Sequence, residues 1–422
     1  MKKLLCIAMV LMMAFATLAG CAGTTATTAA TASDATASDA SASDASASDA
    51  AAAPAASTET IKVGILGPHT GDYAVYGLAV KNGAQLYIDQ VNAAGGINGK
   101  QIETVVYDDK GDATEAITAF TRMVDDGVTA VIGDVLSGTT IAVEGEAYPI
   151  NMPMITASST AAGVTYDETT GTVFTNIFRT CFIDPFQGEK MAQYASEKLG
   201  ATTAAVIVQT GNDYSVGLAD AFKAKCTELG ITVVDEEGYS EGDVDFNSQL
   251  TNILAAAPDV VFCPNYYQDD GMIVTQARAL GLTATFLGGD GWAGVAAYAS
   301  AADLEGSYFC SAYAPGSTDA VKAFEAAYTA AYGADTLNMF AATSYDAAMV
   351  LVAALTKAEA SGAAAGSDEY KQAVIDAIKT EGPSVQGITS ESGYTFDEYN
   401  NPIKSAVIMT VTGGTETFKE IF

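Results

Sequence analysis

The sequence predicts an α/β protein built as two doubly wound parallel-sheet lobes, and three observations predict it. From Ile61 onward, short β-branched runs alternate with amphipathic helical patterns. The number of such runs, about a dozen, is more than one open sheet carries comfortably. The pattern also restarts around Phe178–Asp184 (FRTCFID) and shifts near Ser307–Pro315 (SYFCSAYAP).

The strands read in order as Ile61–Leu66, Gln101–Tyr107, Ala130–Ile132, Pro153–Thr156, Ala204–Val208 and Asp259–Cys263. Each is a short apolar run of the kind buried on both faces. Between them, Ile117, Phe120 and Val124 make one apolar helical stripe, and Leu218, Phe222, Cys226 and Leu229 make another. Strands separated by helices require right-handed crossovers, hence parallel sheets with covered faces. Three crossovers between lobes are expected, near Cys181, Ala312 and Gly387. The last returns the chain, including Lys404–Val411, to the second lobe. The predicted division is residues 61–182 with 313–388 in lobe 1, and 183–312 with 389–422 in lobe 2.

Ahead of this body, residues 1–20 read as a secretory leader: Lys2 and Lys3, an apolar stretch from Leu4 to Ala19, then small residues. That stretch is shorter than the roughly 20 residues needed to span a bilayer. Leu18-Ala19-Gly20-Cys21 resembles the bacterial lipoprotein processing box, which implies lipidation of Cys21. Residues 21–60 are low in complexity. The unit Thr31–Ala35 recurs as Thr36–Ala40, Ser41–Ala45 and Ser46–Ala50, and it contains nothing that could bury a core. As a flexible coil it would span about 35 Å root-mean-square. A partly helical or glycosylated spacer remains open.

The chain of 422 residues carries 19 Lys and Arg against 51 Asp and Glu, a formal net charge of −32. Such a surface is repelled by phosphate backbones and anionic headgroups, so nucleic acid is not an expected partner. Cys181, Cys226, Cys263 and Cys310 have no zinc-ligand spacing and no CxxC. Small buried thiols are the favoured reading, with a disulfide left open. His69 is the only histidine. It stands between Pro68 and Thr70 in a loop; GxxxxGK[ST] and HExxH are absent, and the loop after the first strand lacks GxGxxG. Asp108-Asp109 and Asp125-Asp126 read as solvated charges flanking helices. No catalytic residue, metal site or cofactor is predicted, and the chain does not read as an enzyme.

In open α/β sheets ligands bind beyond the carboxyl ends of strands. Those positions here hold 67–71 (GPHTG) with Tyr76, 133–140 (GDVLSGTT), 156–160 (TASST), 209–214 (QTGNDY), Asn265-Tyr266-Tyr267 and 288–292 (GGDGW). Hydroxyls, aromatics and one carboxylate converge without a basic cluster.

These loops, with GPHTGDYAVYG at 67–77, NAAGGINGK at 92–100, TQARALGL at 275–282 and GYTFDEYNNP at 393–402, resemble the branched-chain amino-acid-binding proteins of bacterial ABC transporters. The resemblance covers nearly everything from Ile61 to Phe422. It implies the type I periplasmic-binding fold, a small amino-acid ligand, an ABC permease as partner, a monomer and a lipid-anchored, extracytoplasmic location. It also implies ligand contacts at Tyr76, Ser137, Ser158, Thr160, Tyr214, Tyr266, Asp290 and Phe340. Hydroxyls and backbone N–H groups at Ser137 and Thr160 would meet a carboxylate. Asp290 and the Ser158 carbonyl would meet an ammonium, and the aromatics would wall the side chain. Trp292 is expected to lid the pocket.

Each position has a plainer reading. Ser137 and Thr160 could cap helices, Tyr76 could staple a helix start, the second-lobe tyrosines could be surface aromatics, and Phe340 could be core. The sequence departs from well-known members in having Asp where they have Glu, and Leu136 where some have a cysteine. A second functional reading keeps the fold: a sensory ligand-binding subunit for amides, urea or another small polar solute.

Overall fold

A computed structural model describes residues 59–422. The leader, Cys21 and the tether up to residue 58 lie outside the described residues.

The first half of the body forms β1 (Thr60–Gly67), β2 (Gln101–Asp108), β3 (Ala130–Ile132), β4 (Met154–Thr156), a small hairpin of β5 (Tyr166–Asp167) and β6 (Thr172–Val173), and β7 (Ile177–Arg179). Five of these make a parallel sheet in the order β2-β1-β3-β4-β7. The next strands are β8 (Thr203–Gln209), β9 (Thr232–Tyr239), β10 (Val260–Phe262), β11 (Thr285–Gly288), β12 (Tyr308–Ser311), β13 (Val407–Thr412) and β14 (Thr415–Ile421). They make a second sheet in the order β14-β13-β12-β11-β10-β8-β9.

Strands read as continuous apolar runs are buried on both faces by helices. In β1, Ile61, Val63, Ile65 and Leu66 are all buried, the condition of a covered parallel strand. The predicted helical stripes fall on Ala113–Asp125 and Asp213–Leu229. Each starts at a side-chain cap: Asp112 accepts from the N–H groups of Thr114 and Glu115, and Asn212 from those of Tyr214 and Ser215.

The second sheet, parallel through most of its strands as expected, ends in antiparallel strands at the C-terminus. β12, β13 and β14 pair antiparallel. Thr412 faces Thr415, leaving Gly413 and Gly414 as a two-residue loop with φ of 59° and 80°. Positive φ at both positions is what a tight hairpin turn requires, and glycine adopts it without steric cost.

The chain passes between the sheets after β7, after β12 and before β13. The third passage lies later than the expected Gly387. Residues 389–405, assigned from pattern to the second lobe, bond mainly to the first. The Asn400 amide donates to the carbonyls of Phe174 and Ile177, and the Thr165 hydroxyl donates to Asn401. A buried polar knot ties this segment down. Asp346 accepts from the N–H groups of Ile388 and Thr389 and from the Tyr394 hydroxyl, while Lys404 Nζ donates to the Thr180 carbonyl at 2.9 Å.

The helix Met339–Glu359 is long and apolar enough to cross a membrane by composition, but it is largely buried and serves as the core helix of the first lobe. It packs closely on the helix Ala74–Ala93, where a Cβ at Gly83 would fall 2.2 Å from the Ala341 carbonyl oxygen. Cys181, Cys226, Cys263 and Cys310 are free and buried.

Candidate functional site

The two sheets face one another across a cleft, and the strand-end loops meet there around a small, partly open cavity. Tyr76, Val135, Leu136, Ser137, Ser158, Tyr214, Tyr266, Asp290, Gly291 and Phe340 line it. Seven of the nine expected contacts are therefore brought together; Thr160 and Trp292 are not on the wall.

The first-lobe end is rich in donors. The helix Ser137–Ala147 begins directly after the loop that follows β3. Leu136 occupies its cap position, so Ser137 is the first helical residue and not the cap. The first N–H groups of a helix have no intrahelical partner and favour an anion. The Ser137 hydroxyl accepts from the Ala161 N–H at 3.2 Å. The Ser158 hydroxyl donates to the Val135 carbonyl at 2.7 Å, which joins the two loops that line this end. Behind them, the buried Arg179 donates to the carbonyls of Ser159 and Ala161, both at 3.0 Å, and fixes the loop from below.

Thr160 stands just behind the wall. Its carbonyl accepts from the Asp184 N–H at 2.9 Å, and its buried hydroxyl has no hydrogen-bond partner among the described residues. It is not a helix cap.

The aromatic wall comes from both lobes. Tyr214 and Tyr266 stack with centroids 5.0 Å apart and planes 6° apart. Tyr76 meets Tyr266 and Phe340 edge-on, at 5.8 and 4.9 Å. The hydroxyls are engaged within the protein. Tyr76 donates to the Gly291 carbonyl and accepts from the Tyr267 N–H at 3.1 Å, and Tyr214 accepts from the Gly291 N–H at 2.7 Å. Burial pushes all three phenols upward, so they stay neutral. The wall they present is chiefly apolar.

Asp290 follows β11 between two glycines whose absence of a side chain is required. A Cβ on Gly291 would lie 2.4 Å from the Asn265 carbonyl oxygen, and one on Gly289 would lie 2.8 Å from the Tyr214 hydroxyl. Asp290 is buried. Its Oδ1 accepts from Gln187 Nε2 at 3.0 Å, while Oδ2 has no partner among the described residues. Burial raises its pKa to about 6, against the opposing effects of Gln187, the Tyr214 hydroxyl and the backbone N–H groups of Asp290 and Gly291. Leaving a buried carboxylate oxygen unpaired is costly, so this atom marks the place of a donor.

Trp292 needs correcting. It is fully buried in the second lobe, its indole N–H donating to the Cys263 carbonyl at 2.8 Å. The single turn Asp290–Trp292 rotates it beneath β11, where a Cβ on Gly288 would lie 2.0 Å from its ring. It is a core residue, not a lid. His69 stays out of the cavity; burial pushes it down to about 4, so it is neutral.

Two residues escaped the sequence reading. Asp184 and Gln187 open the helix Asp184–Glu197 just after the first passage between lobes, and both are buried behind Asp290. Burial and the neighbouring Asp290 charge hold the Asp184 carboxyl well above the usual range. The only sequence signal was their place at a helix start next to a predicted crossover.

Residues 60–416 match a family model described as periplasmic binding protein. The chain is 34% identical over 323 residues to the Leu/Ile/Val-binding protein BraC3 of Rhizobium johnstonii, covering 76% of this chain and 83% of that one. Among solved structures, the leucine-binding protein LivK of Thermotoga maritima superposes with a TM-score of 0.77 at 32% identity, over 86% of this chain and 99% of the other. The branched-chain amino acid transporter substrate-binding protein LivJ of Streptococcus pneumoniae, in complex with isoleucine, superposes with a TM-score of 0.76 at 32% identity over the same shares.

Proposed function

Since the chain belongs to the periplasmic binding protein family, we propose that it captures a branched-chain or other small apolar amino acid in the interlobe cleft and delivers it to an ABC permease. The carrying observation is the polarity of one small interlobe cavity. A helix N-terminus with Ser137 stands on one lobe, the unpartnered Oδ2 of Asp290 on the other, and an aromatic wall between them. A zwitterion needs both ends met, because desolvating either charge unpaired costs several kcal/mol. Thr160 would join the carboxylate end if the loop shifts slightly on binding.

The ligand docks on the first lobe by its carboxylate. The second lobe then closes and adds Asp290, Tyr214 and Tyr266, with the three passages between sheets bending as hinges. Only the closed form offers both charged ends their partners, so the ligand shifts the population toward it. No bond is made or broken. The resemblance of Leu18–Cys21 to the lipoprotein box supports a Cys21 lipid anchor at the outer face of the cell membrane, with the body acting as a monomer.

For urea or an amide, the Asp290 carboxylate would be left without a cation and the apolar wall without a side chain, which disfavours the sensory reading. Titration calorimetry against the twenty amino acids is the test. Heat is expected with leucine, isoleucine or valine and is lost on Asp290→Asn. Silence with every amino acid would reject the proposal.

A further inference from the structure

Asp290 does not hold its own orientation. One buried amide grips the residue at two points: Gln187 Nε2 donates to the carboxyl Oδ1 at 3.0 Å, and Gln187 Oε1 accepts from the Asp290 backbone N–H at 2.9 Å. The second contact fixes which end of the amide is oxygen, since only the oxygen can accept. The remaining Nε2 hydrogen turns to Asp184 Oδ1, 3.4 Å away. Every polar group of Gln187 is thus committed, and Asp290 Oδ2, near the Tyr214 hydroxyl, is left as a side-chain acceptor on the cavity wall with no close hydrogen-bond partner among the described residues.

We propose that Gln187 is the positioning residue that presents Asp290 Oδ2 to the ligand's ammonium, and that it sets the preference for an α-amino acid over the matching keto acid. This rests on the amino-acid reading above. A carboxylate turns freely about its Cβ–Cγ bond; besides Gln187, the Tyr214 hydroxyl and the backbone N–H groups of the turn also favour the Asp290 charge, but Gln187 is the side chain that holds Oδ1 within 3.0 Å. The amide supplies that support in the one chemical form that suits the task. A cation at position 187 would neutralise Asp290 and compete with the ligand, and an anion would repel it. A carboxamide fixes the carboxylate and leaves its charge for the ammonium. Its placement also matters. Gln187 lies on the helix Asp184–Glu197, which begins five residues beyond the end of β7 in the first sheet, so the grip moves with the second lobe as a unit.

The test compares leucine with 4-methyl-2-oxopentanoate, which shares its carboxylate and side chain and lacks the ammonium, on wild type, Gln187→Met and Gln187→Asn. Methionine keeps the length without the hydrogen bonds; asparagine keeps the amide but is one methylene too short to reach. Leucine affinity should fall about 30-fold in both variants while that of the keto acid changes less than about 3-fold, so discrimination collapses. Equal losses for both ligands would mean a structural role and overturn the proposal, as would unchanged discrimination in either variant that melts as wild type does. Wild type that binds no amino acid would instead sink the functional reading itself, so the two failures are distinguishable.

Discussion

The Tyr76 hydroxyl, on the first lobe, donates to the carbonyl of Gly291, on the second and next to Asp290. The same oxygen accepts from the Tyr267 N–H at 3.1 Å, so one phenol ties two second-lobe loops to the first helix of the opposite lobe. Nearby, the Gln268 amide donates to the Asp72 carbonyl at 2.6 Å, and the Tyr267 hydroxyl donates to the same carbonyl. Hinge opening of the proposed kind would break these bonds. On that reading Tyr76 would act as a latch as well as lining the cavity.

Tyr76→Phe keeps the ring and removes the latch, leaving the Gly291 carbonyl and the Tyr267 N–H unsatisfied in the closed state. The expected cost to closure is about 1–2 kcal/mol, or roughly a 5- to 30-fold loss of leucine affinity, carried mostly by faster dissociation. Stopped-flow fluorescence can follow it, because the chain has a single tryptophan, Trp292, two residues beyond Asp290. An unchanged dissociation rate would refute the latch.

Affinity and stability should respond to acid with opposite signs at Asp290. Burial sets its pKa at about 6 in the folded, unliganded protein, above the ordinary value of 3.8. Ammonium binding needs the ionised form, so leucine affinity should drop as pH falls below about 6, approaching tenfold per unit. The folded state takes up a proton between about pH 6 and 4 that the unfolded chain binds less readily. The residue's contribution to unliganded stability therefore rises over the same window. Calorimetry from pH 8 to 4.5, with melts compared against Asp290→Asn to cancel other carboxyls, checks both signs.

Much of the site was legible because strand ends announce themselves. Ile61–Leu66 reads as a strand since both its faces are buried, and whatever follows it must face the cleft. β9 escaped because it is an edge strand that alternates exposed with half-buried residues and carries Asp235, Glu236 and Glu237 in its middle, so it has no apolar run. β12 was read only as a crossover, since its four residues lie next to a real one. The Gln187 grip was invisible for a different reason: it joins positions 103 apart in sequence, and nothing local to either marks the pair. Trp292 misled because distance along the chain says nothing of direction around a single turn.

Trp292→Phe should separate core from pocket. The indole fills space under β11 and bonds to the Cys263 carbonyl at 2.8 Å, away from the cavity wall. Losing the donor and part of the ring should destabilise the fold by about 1–3 kcal/mol. Leucine affinity should stay within about 3-fold of wild type. A large affinity loss without a drop in melting temperature would restore the lid reading.

The polar knot around Lys404 makes the last prediction, and its sign comes from burial. Lys404 is pushed down to about 8, burial outweighing the attraction of Asp346. Its ammonium donates to the Thr180 carbonyl, the Thr389 hydroxyl and the Tyr394 hydroxyl, linking the first passage between lobes to the last. Asp346 keeps donors of its own from Ile388, Thr389 and Tyr394, so Lys404→Met does not strand it. At pH 7 the loss should be modest, about 1–2 kcal/mol, because removing the lysine's hydrogen bonds also removes the cost of burying its charge. Between pH 8 and about 10.5 the unfolded lysine remains protonated while the folded one does not. The unfolded state then binds more protons, and wild-type stability gains with pH in a way the variant cannot follow. Urea melts of both proteins at pH 7 and pH 10 should therefore show the cost of the substitution growing with pH. A cost that shrinks would mean that the charge itself, and not the donated hydrogen bonds, holds the hinge together.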